Sequence, residues 1–419
     1  MEQRSSAEAL VSTPLEFNPF DASFRADPYP VYQRLREEDP ARLTAFGMVA
    51  LSRYSDCVKV LKHPSASSDS RNSTAYQQQL ARGDNSGSVF GEVAGVRPFL
   101  FMDPPDHTRL RGMVQKAFTT KMVNSLRSDI REAIVEILAP AVRRGSMEVI
   151  KDLAYPLPIQ VVSRLLGVPS GDYELFKEWA QEFARAHDPA GSLSHLELER
   201  RERAASSFLE YFRRVIYERR KRPADDLVSH LIAVEDEGNR LTEEELLSTL
   251  ILLLVAGHET TVNLIGNGFL ALSKNPAQFG RLSRNPELAR SAVDEILRYD
   301  APVQLTARVM LDEVVVADRI IARGDQVLVL LASANRDAAQ FDEPDVFDIE
   351  RQNNRHLSFS LGSHFCLGAM LARAEGEILF TELATRIDEL VLDEDTLRYK
   401  DYFVLRGLDV LPVTFKSSR

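Results

Sequence analysis

The sequence is poor in cysteine. Two in 419 residues, Cys57 and Cys366, exclude a disulfide framework and fit a reducing compartment. There is no CxxC pair, and only His356 and His364 lie near Cys366, so a four-ligand zinc site is a poor fit. An excess of positive charge is missing too. A net charge of −11 argues against a general nucleic-acid binder, which would carry a basic footprint. Nor is there an apolar run of membrane-spanning length. The most apolar stretch, LLSTLILLLVAG from Leu246 to Gly257, has 12 residues and is bounded by Glu243 to Glu245 and by His258-Glu259. A span needs roughly 20 residues, so the stretch reads as a buried core helix. The N-terminal MEQRSSAEALVSTPLEF lacks the apolar core of a signal peptide. The expectation is a soluble, cytoplasmic, monomeric protein with neither nucleic acid nor membrane as partner.

What is present reads as mainly α with small β-sheets, an α+β chain. Residues 1–15 read as a flexible tail and 16–419 as one domain, with a β-rich side from 16–63, 300–345 and 400–415. ARLTAFGMVALSRY within 41–63 reads as a hairpin followed by a helix. Residues 64–98, rich in Ser, Asn, Gln and Gly, read as a long loop of the kind that forms lids or binding loops. Apolar residues recur at helical spacing over 106–117, 121–144 and 158–166. Two charged helices, 171–186 and about 195–222, flank a Pro/Gly/Ser segment at 188–194. Thr242-Glu243-Glu244-Glu245 fits a capping box opening a helix that runs to about Ser273. EVVVADRIIARGDQVLVLLASAN alternates and is β-branched, which predicts short strands and turns. A helix is expected from Leu367 to about Ile387, and YFVLRGLDVLPVTF as a closing hairpin.

Cys366 sits in FSLGSHFCLG, Phe359 to Gly368. A free cysteine on its own is most simply a small buried hydrophobe. Its setting argues otherwise. Phe359, Gly362, Cys366 and Gly368 form FxxGxxxCxG, with His364 two residues before the cysteine. This pattern resembles the haem-binding loop of the cytochrome P-450 family. A single thiolate can serve as the axial ligand of haem iron and favour O–O cleavage. A helix starting just after the cysteine would aim free N–H groups at the sulfur and stabilise its thiolate form. Ser360 stands where the family pattern has glycine, a difference that keeps the ligand and bears on its tuning.

Three further stretches carry the resemblance. AGHETT, Ala256 to Thr261, follows the apolar run. It is not a zinc-protease HExxH, because Val262 stands where the second histidine would be. The ordinary reading of Thr260 is a helix threonine bonded back to the carbonyl of Ala256. The resemblance implies an oxygen-binding groove, with Ala256 and Gly257 leaving room and Glu259 and Thr260 as an acid–alcohol pair that relays protons. Glu295 and Arg298 form ExxR, alone no more than a helix pair worth about 0.2–0.5 kcal/mol. With Arg351 in FDIER they match the family's structural Glu-Arg-Arg network. His107 and Arg111 in DHTRLR, Arg308 in TARVM and His364 match its haem-propionate contacts.

The resemblance spans nearly the whole chain, from DPYPVYQRLR to RGLDVLPV. It implies the family's triangular, mainly helical prism. It also implies haem b with an axial thiolate, and insertion of one atom of O2 into a hydrophobic organic substrate such as a fatty acid, terpenoid, steroid or polyketide. Electrons would come from an external ferredoxin and its reductase, docking on the cysteine side near Arg109, Lys116 and Arg373. By family position the pocket walls would be Tyr76, Phe90 and Val93 from the 64–98 loop, Leu252 and Leu253, Val303, Gln304 and Leu305, and Phe403 and Val404. Each of these could equally be plain core. A peroxide-driven haem-thiolate enzyme and a non-enzymatic haem sensor are the competing functions. An intact Glu259-Thr260 pair disfavours the first, and the lack of a recognisable signalling module disfavours the second.

Overall fold

The structure, a computed structural model, describes residues 17–82, 97–183, 193–236, 238–392 and 396–416. Its axis is one helix, Glu243–Lys274. The capping box forms as expected. The Thr242 hydroxyl accepts from the Glu245 N–H at 3.2 Å, and the Glu245 carboxylate accepts from the Thr242 N–H at 2.8 Å. Three glutamates in the first turn sit at the positive end of the helix dipole. Beyond them the helix is mostly apolar and mostly buried, the signature of a segment enclosed by protein. It is the one helix among the described residues long and apolar enough to cross a membrane, yet 78% of its most apolar window is buried inside the protein.

The helices Pro156–Leu165, Ala289–Tyr299 and Ala369–Ala384 pack on this axis, and Arg127–Arg144 packs on the last of them. Small residues mark the close crossings. A Cβ on Gly268 would lie 2.4 Å from Phe380, and one on Gly376 2.8 Å from Val293. These two glycines let the axis, the Glu295 helix and the helix after Cys366 close on one another.

The largest sheet has five strands in the order Ala41–Leu43, Val49–Leu51, Gln326–Val329, Thr306–Met310 and Ala66–Ser67. Every pair is antiparallel except Val49–Leu51 with Gln326–Val329, where Val327 faces Val49. The early hairpin is therefore stitched to strands nearly 300 residues later.

Several local expectations are corrected. Leu331–Ala334 is a short helix instead of a continuing strand. The 121–144 segment is two helices, Thr120–Ser125 and Arg127–Arg144, separated at Leu126. The closing hairpin does not exist. Leu408–Val410 pairs with Arg398–Tyr399, whereas Pro412–Lys416 pairs with Glu389–Leu392 and Ser146–Glu148. The part of 64–98 that is described holds a strand, a 3-10 turn and the helix Thr74–Ala81 capped by Ser73, so it is far from a plain loop.

Glu295 ties this frame to the cysteine loop. Its carboxylate is fully buried and accepts two parallel bonds from Arg298, both at 2.8 Å. It also accepts from Arg351 Nε at 3.1 Å, Asn354 Nδ2 at 3.1 Å and the Asp348 N–H at 2.9 Å. Arg298 spends its remaining donors on the carbonyls of Asn335, Pro344 and Val346. Asn335 in turn holds Leu357 N–H at 2.6 Å and the Ser358 hydroxyl at 2.8 Å, just ahead of Phe359. A buried charge is tolerable only when every partner is present. Replacing Glu295 by Gln is predicted to cost about 3–5 kcal/mol, because two guanidinium groups lose their counter-ion. Urea unfolding of the variant checks this; a loss under about 1 kcal/mol would contradict the network's role.

Candidate active site

A cavity of about 450 Å³ lies between the long helix and the cysteine loop. Cys366, Phe359, Ser360, His364 and Gly368 line it from the loop, and Leu252, Leu253, Ala256, Gly257 and Thr260 from the helix. Gly257 has a steric reason: a Cβ there would lie 2.9 Å from Val162 on the neighbouring helix. Cys57, the other cysteine, is fully buried between Val49–Leu51 and its own helix, with the thiol 3.4 Å from the Leu51 carbonyl. It is the small hydrophobe; Cys366 is the cysteine that faces a cavity.

The loop around Cys366 is held by its backbone. The Cys366 N–H donates to the Phe359 carbonyl at 2.8 Å. Gly362 has φ +73°, and a Cβ there would lie 2.8 Å from the Leu61 carbonyl oxygen, so glycine is required. Burial pushes the Cys366 thiol pKa up, opposed by the N–H of Gly368, by Arg111 and Arg373, and by the N–H of Ala369. The helix Ala369–Ala384 begins where the sequence led one to expect, and its first amides face the sulfur.

Positive and donor groups gather on the same side. Arg111 and Arg308 line the cavity, and neither has an ion pair among the described residues. Burial lowers the Arg308 pKa to about 10, with Asp103 opposing. His107 stacks on His364, ring centroids 4.0 Å apart. Both ring nitrogens of His107 and Nδ1 of His364 are buried without hydrogen-bond partners. Burial, then Arg308, His107 and Arg111, hold the His364 pKa down to about 3. Leaving buried donors unpaired is costly, so this cluster suits a ligand that brings negative oxygens.

On the long helix the Thr260 hydroxyl donates to the Ala256 carbonyl at 2.7 Å, the ordinary back-bond of a helix threonine. Glu259 does not line the cavity. Its buried carboxylate is ion-paired with Lys400 Nζ, which also donates to Asn263 Oδ1 at 3.3 Å. Burial works against the charge on Lys400, but Glu259 and Tyr155 outweigh it and raise its pKa. The second oxygen of Glu259 has no partner and lies 3.9 Å from His258 Nδ1, which is also unpaired.

The wall differs from expectation in places. Val303, Leu305, Phe403 and Val404 line the cavity. Gln304 does not: it accepts from the Tyr32 hydroxyl at 3.1 Å and donates to the Ala301 carbonyl at 2.7 Å, so it braces the chain. Tyr76 lies on the helix Thr74–Ala81 and is likewise absent from the wall. Phe90 and Val93 fall outside the described residues, as does most of 188–194. Sequence reading missed Phe99, Leu100, Val162 and Glu375, all of which line the cavity. Burial alone raises the Glu375 carboxyl pKa to about 8, so it stays largely protonated at neutral pH.

Comparison with known proteins decides what this site is. The cytochrome P450 family model matches residues 47–393. The chain belongs to the cytochrome P450 family. It is 36% identical over 414 residues to the polyketide biosynthesis cytochrome P450 PksS of Bacillus subtilis, covering 96% of this chain and 99% of that one. It is 38% identical over 411 residues to vitamin D(3) 25-hydroxylase of Pseudonocardia autotrophica, covering 94% and 95%. P450BioI, solved in complex with an acyl carrier protein ligated to hexadec-9Z-enoic acid, superposes with a TM-score of 0.84 at 37% identity, covering 94% of this chain and 99% of that one. The protein is thus a P450 monooxygenase, with the family's haem b and cysteine-thiolate ligation. The cavity fits that cofactor on its own evidence: one facing thiol, apolar walls, and two lining arginines without an ion pair among the described residues.

A pH dependence follows. The His364 imidazole protonates near 6.5 when unfolded but only near 3 when folded. Without haem, the stability this difference represents is complete above 6.5 and is lost as pH falls from there towards 3. Haem carboxylates would offset the positive neighbours and flatten the decline. Thermal midpoints of haem-free and haem-loaded protein at pH 7.5 and 5 check this. Equal acid losses in the two forms would contradict it.

Proposed function

We propose that Cys366 is the axial ligand of the haem and that His107, Arg111, Arg308 and His364 hold its propionates, with Phe359 packed beside the ligand loop. The observation that carries this reading is the sharing of one cavity by the facing thiol, Arg111, Arg308, His364 and Thr260, with His107 stacked behind His364. When bound, the haem supplies activation of dioxygen and transfer of one oxygen atom to the substrate. The protein's own part is orientation, exclusion of water and delivery of protons.

Thr260 is the last protein hydroxyl on the proton path, and Glu259 is the acid behind it. The Thr260 hydroxyl donates to Ala256, which leaves its oxygen lone pairs free to accept a proton donor from the cavity side. Glu259 reaches the cavity only by leaving Lys400, so proton delivery couples to a side-chain rotation.

The substrate is a hydrophobic organic molecule. Leu252, Leu253, Val303, Leu305, Phe403 and Val404 are apolar, and Glu375 adds little charge at neutral pH. The relatives named above act in polyketide biosynthesis, hydroxylate vitamin D(3), or were solved in complex with a fatty-acid-ligated acyl carrier protein, a range that supports the chemical class. Electrons come from a ferredoxin and its reductase in the cytoplasm, docking on the cysteine side. Arg109 and Arg373 already pair with Glu245 and Asp294, so an acidic donor has to compete for them.

Thr260→Ala is expected to keep its haem and its affinity for substrate while losing coupling. Product per electron consumed should fall by up to about 100-fold, with hydrogen peroxide released in its place. Oxygen uptake, peroxide and product measured together provide the check. An unchanged ratio would remove Thr260 from the proton path.

A further inference from the structure

Ser360 remains unaccounted for. Its φ is +59°, in the left-handed region that glycine tolerates and a residue with a Cβ does not favour. The conformation is imposed from both sides. The Ser360 N–H donates to the Leu357 carbonyl at 2.7 Å, and the preceding carbonyl, that of Phe359, accepts from the Cys366 N–H at 2.8 Å. A glycine would relieve the strain, yet serine is present. Strain kept at a functional loop points to a use for the side chain.

The side chain itself supplies the second observation. The Ser360 hydroxyl oxygen is buried and has no hydrogen-bond partner. Ser358, two residues earlier, shows that the loop can satisfy a serine: it donates to the Leu297 carbonyl at 2.6 Å and accepts from Asn335 at 2.8 Å. Arg111 and Arg308, which share the cavity wall with Ser360, are donors only and offer its proton nowhere to go. Cys366 lines the same wall. A neutral thiol is a weak acceptor, and in this structure the two side chains are not bonded. A metal-bound thiolate is a strong one.

We propose that Ser360 is a tuning residue whose hydroxyl donates a hydrogen bond to the Cys366 sulfur in the haem-loaded protein and raises the reduction potential of the haem. The proposal rests on the reading of Cys366 as ligand. The sulfur already faces the N–H groups of Gly368 and Ala369. A further donor withdraws more electron density from sulfur, weakens its push on iron and makes reduction easier. Ser360 touches neither substrate nor dioxygen in this account and acts through the ligand.

Two variants separate hydroxyl from strain. S360A keeps the Cβ and removes the hydroxyl; S360G removes both. Midpoint potentials by spectroelectrochemistry, and the iron–sulfur stretch by resonance Raman, are read on resting haem-loaded protein without turnover. Both variants should shift the potential downward and the stretching frequency upward by similar amounts. S360G alone should raise the thermal midpoint of the haem-free protein. Wild-type values of both quantities in S360A would overturn the proposal. A wild-type protein with no iron–sulfur stretch would instead overturn the assignment of Cys366, an outcome readily told apart from the first.

Discussion

The Glu295 carboxylate is buried out of reach of water and takes hydrogen bonds from two arginines, an asparagine and a backbone amide. Much of the site depends on that one charge. Arg298 carries the tie to Asn335, Asn335 fixes Leu357 and Ser358, and the next residue, Phe359, anchors the Cys366 amide. Each step is a hydrogen bond under 3.1 Å. The cysteine is therefore presented by a rigid frame, as a ligand must be if its distance and direction are to survive changes of oxidation state.

The two sides of the cavity are built on opposite principles. The cysteine side is over-supplied with donors: Arg111, Arg308, His107 and His364 converge, and burial and the two arginines push both imidazoles toward the neutral form. Such an arrangement is unfavourable until an anion arrives, so cofactor binding and stability are coupled. The long-helix side is mostly apolar where it faces the cavity, apart from its threonines, and ionic where it faces away, with Glu259 held by Lys400.

How much of this could be read from the chain depends on the range of the interaction. ExxR, the capping box at Thr242 and FxxGxxxCxG are short spacings within one helix or loop, so their geometry follows almost directly from sequence. The positions of Cys366, Arg308 and Thr260 in one cavity follow once the family pattern is seen. The Glu259–Lys400 pair was not legible, because 141 residues separate its members and only the fold brings them together. The C-terminal strands were misread for the same reason. LDVLPVTF alternates like a hairpin, but each half finds a better partner in a different sheet. Gln304 looked like a pocket residue by position, yet its amide is used by Tyr32 and Ala301. Ser360 was visible as a departure from the pattern, while its left-handed backbone and orphaned hydroxyl needed coordinates.

The central claim is that Cys366 presents a thiolate to haem iron. The absorption spectrum of the dithionite-reduced, haem-loaded protein under carbon monoxide tests it most directly, read beside the same spectrum of Cys366→Ala. The account predicts a strongly red-shifted Soret band in the wild type and its loss in the variant. An ordinary haem–carbon monoxide band in the wild type, or a red-shifted band that survives in Cys366→Ala, would contradict it.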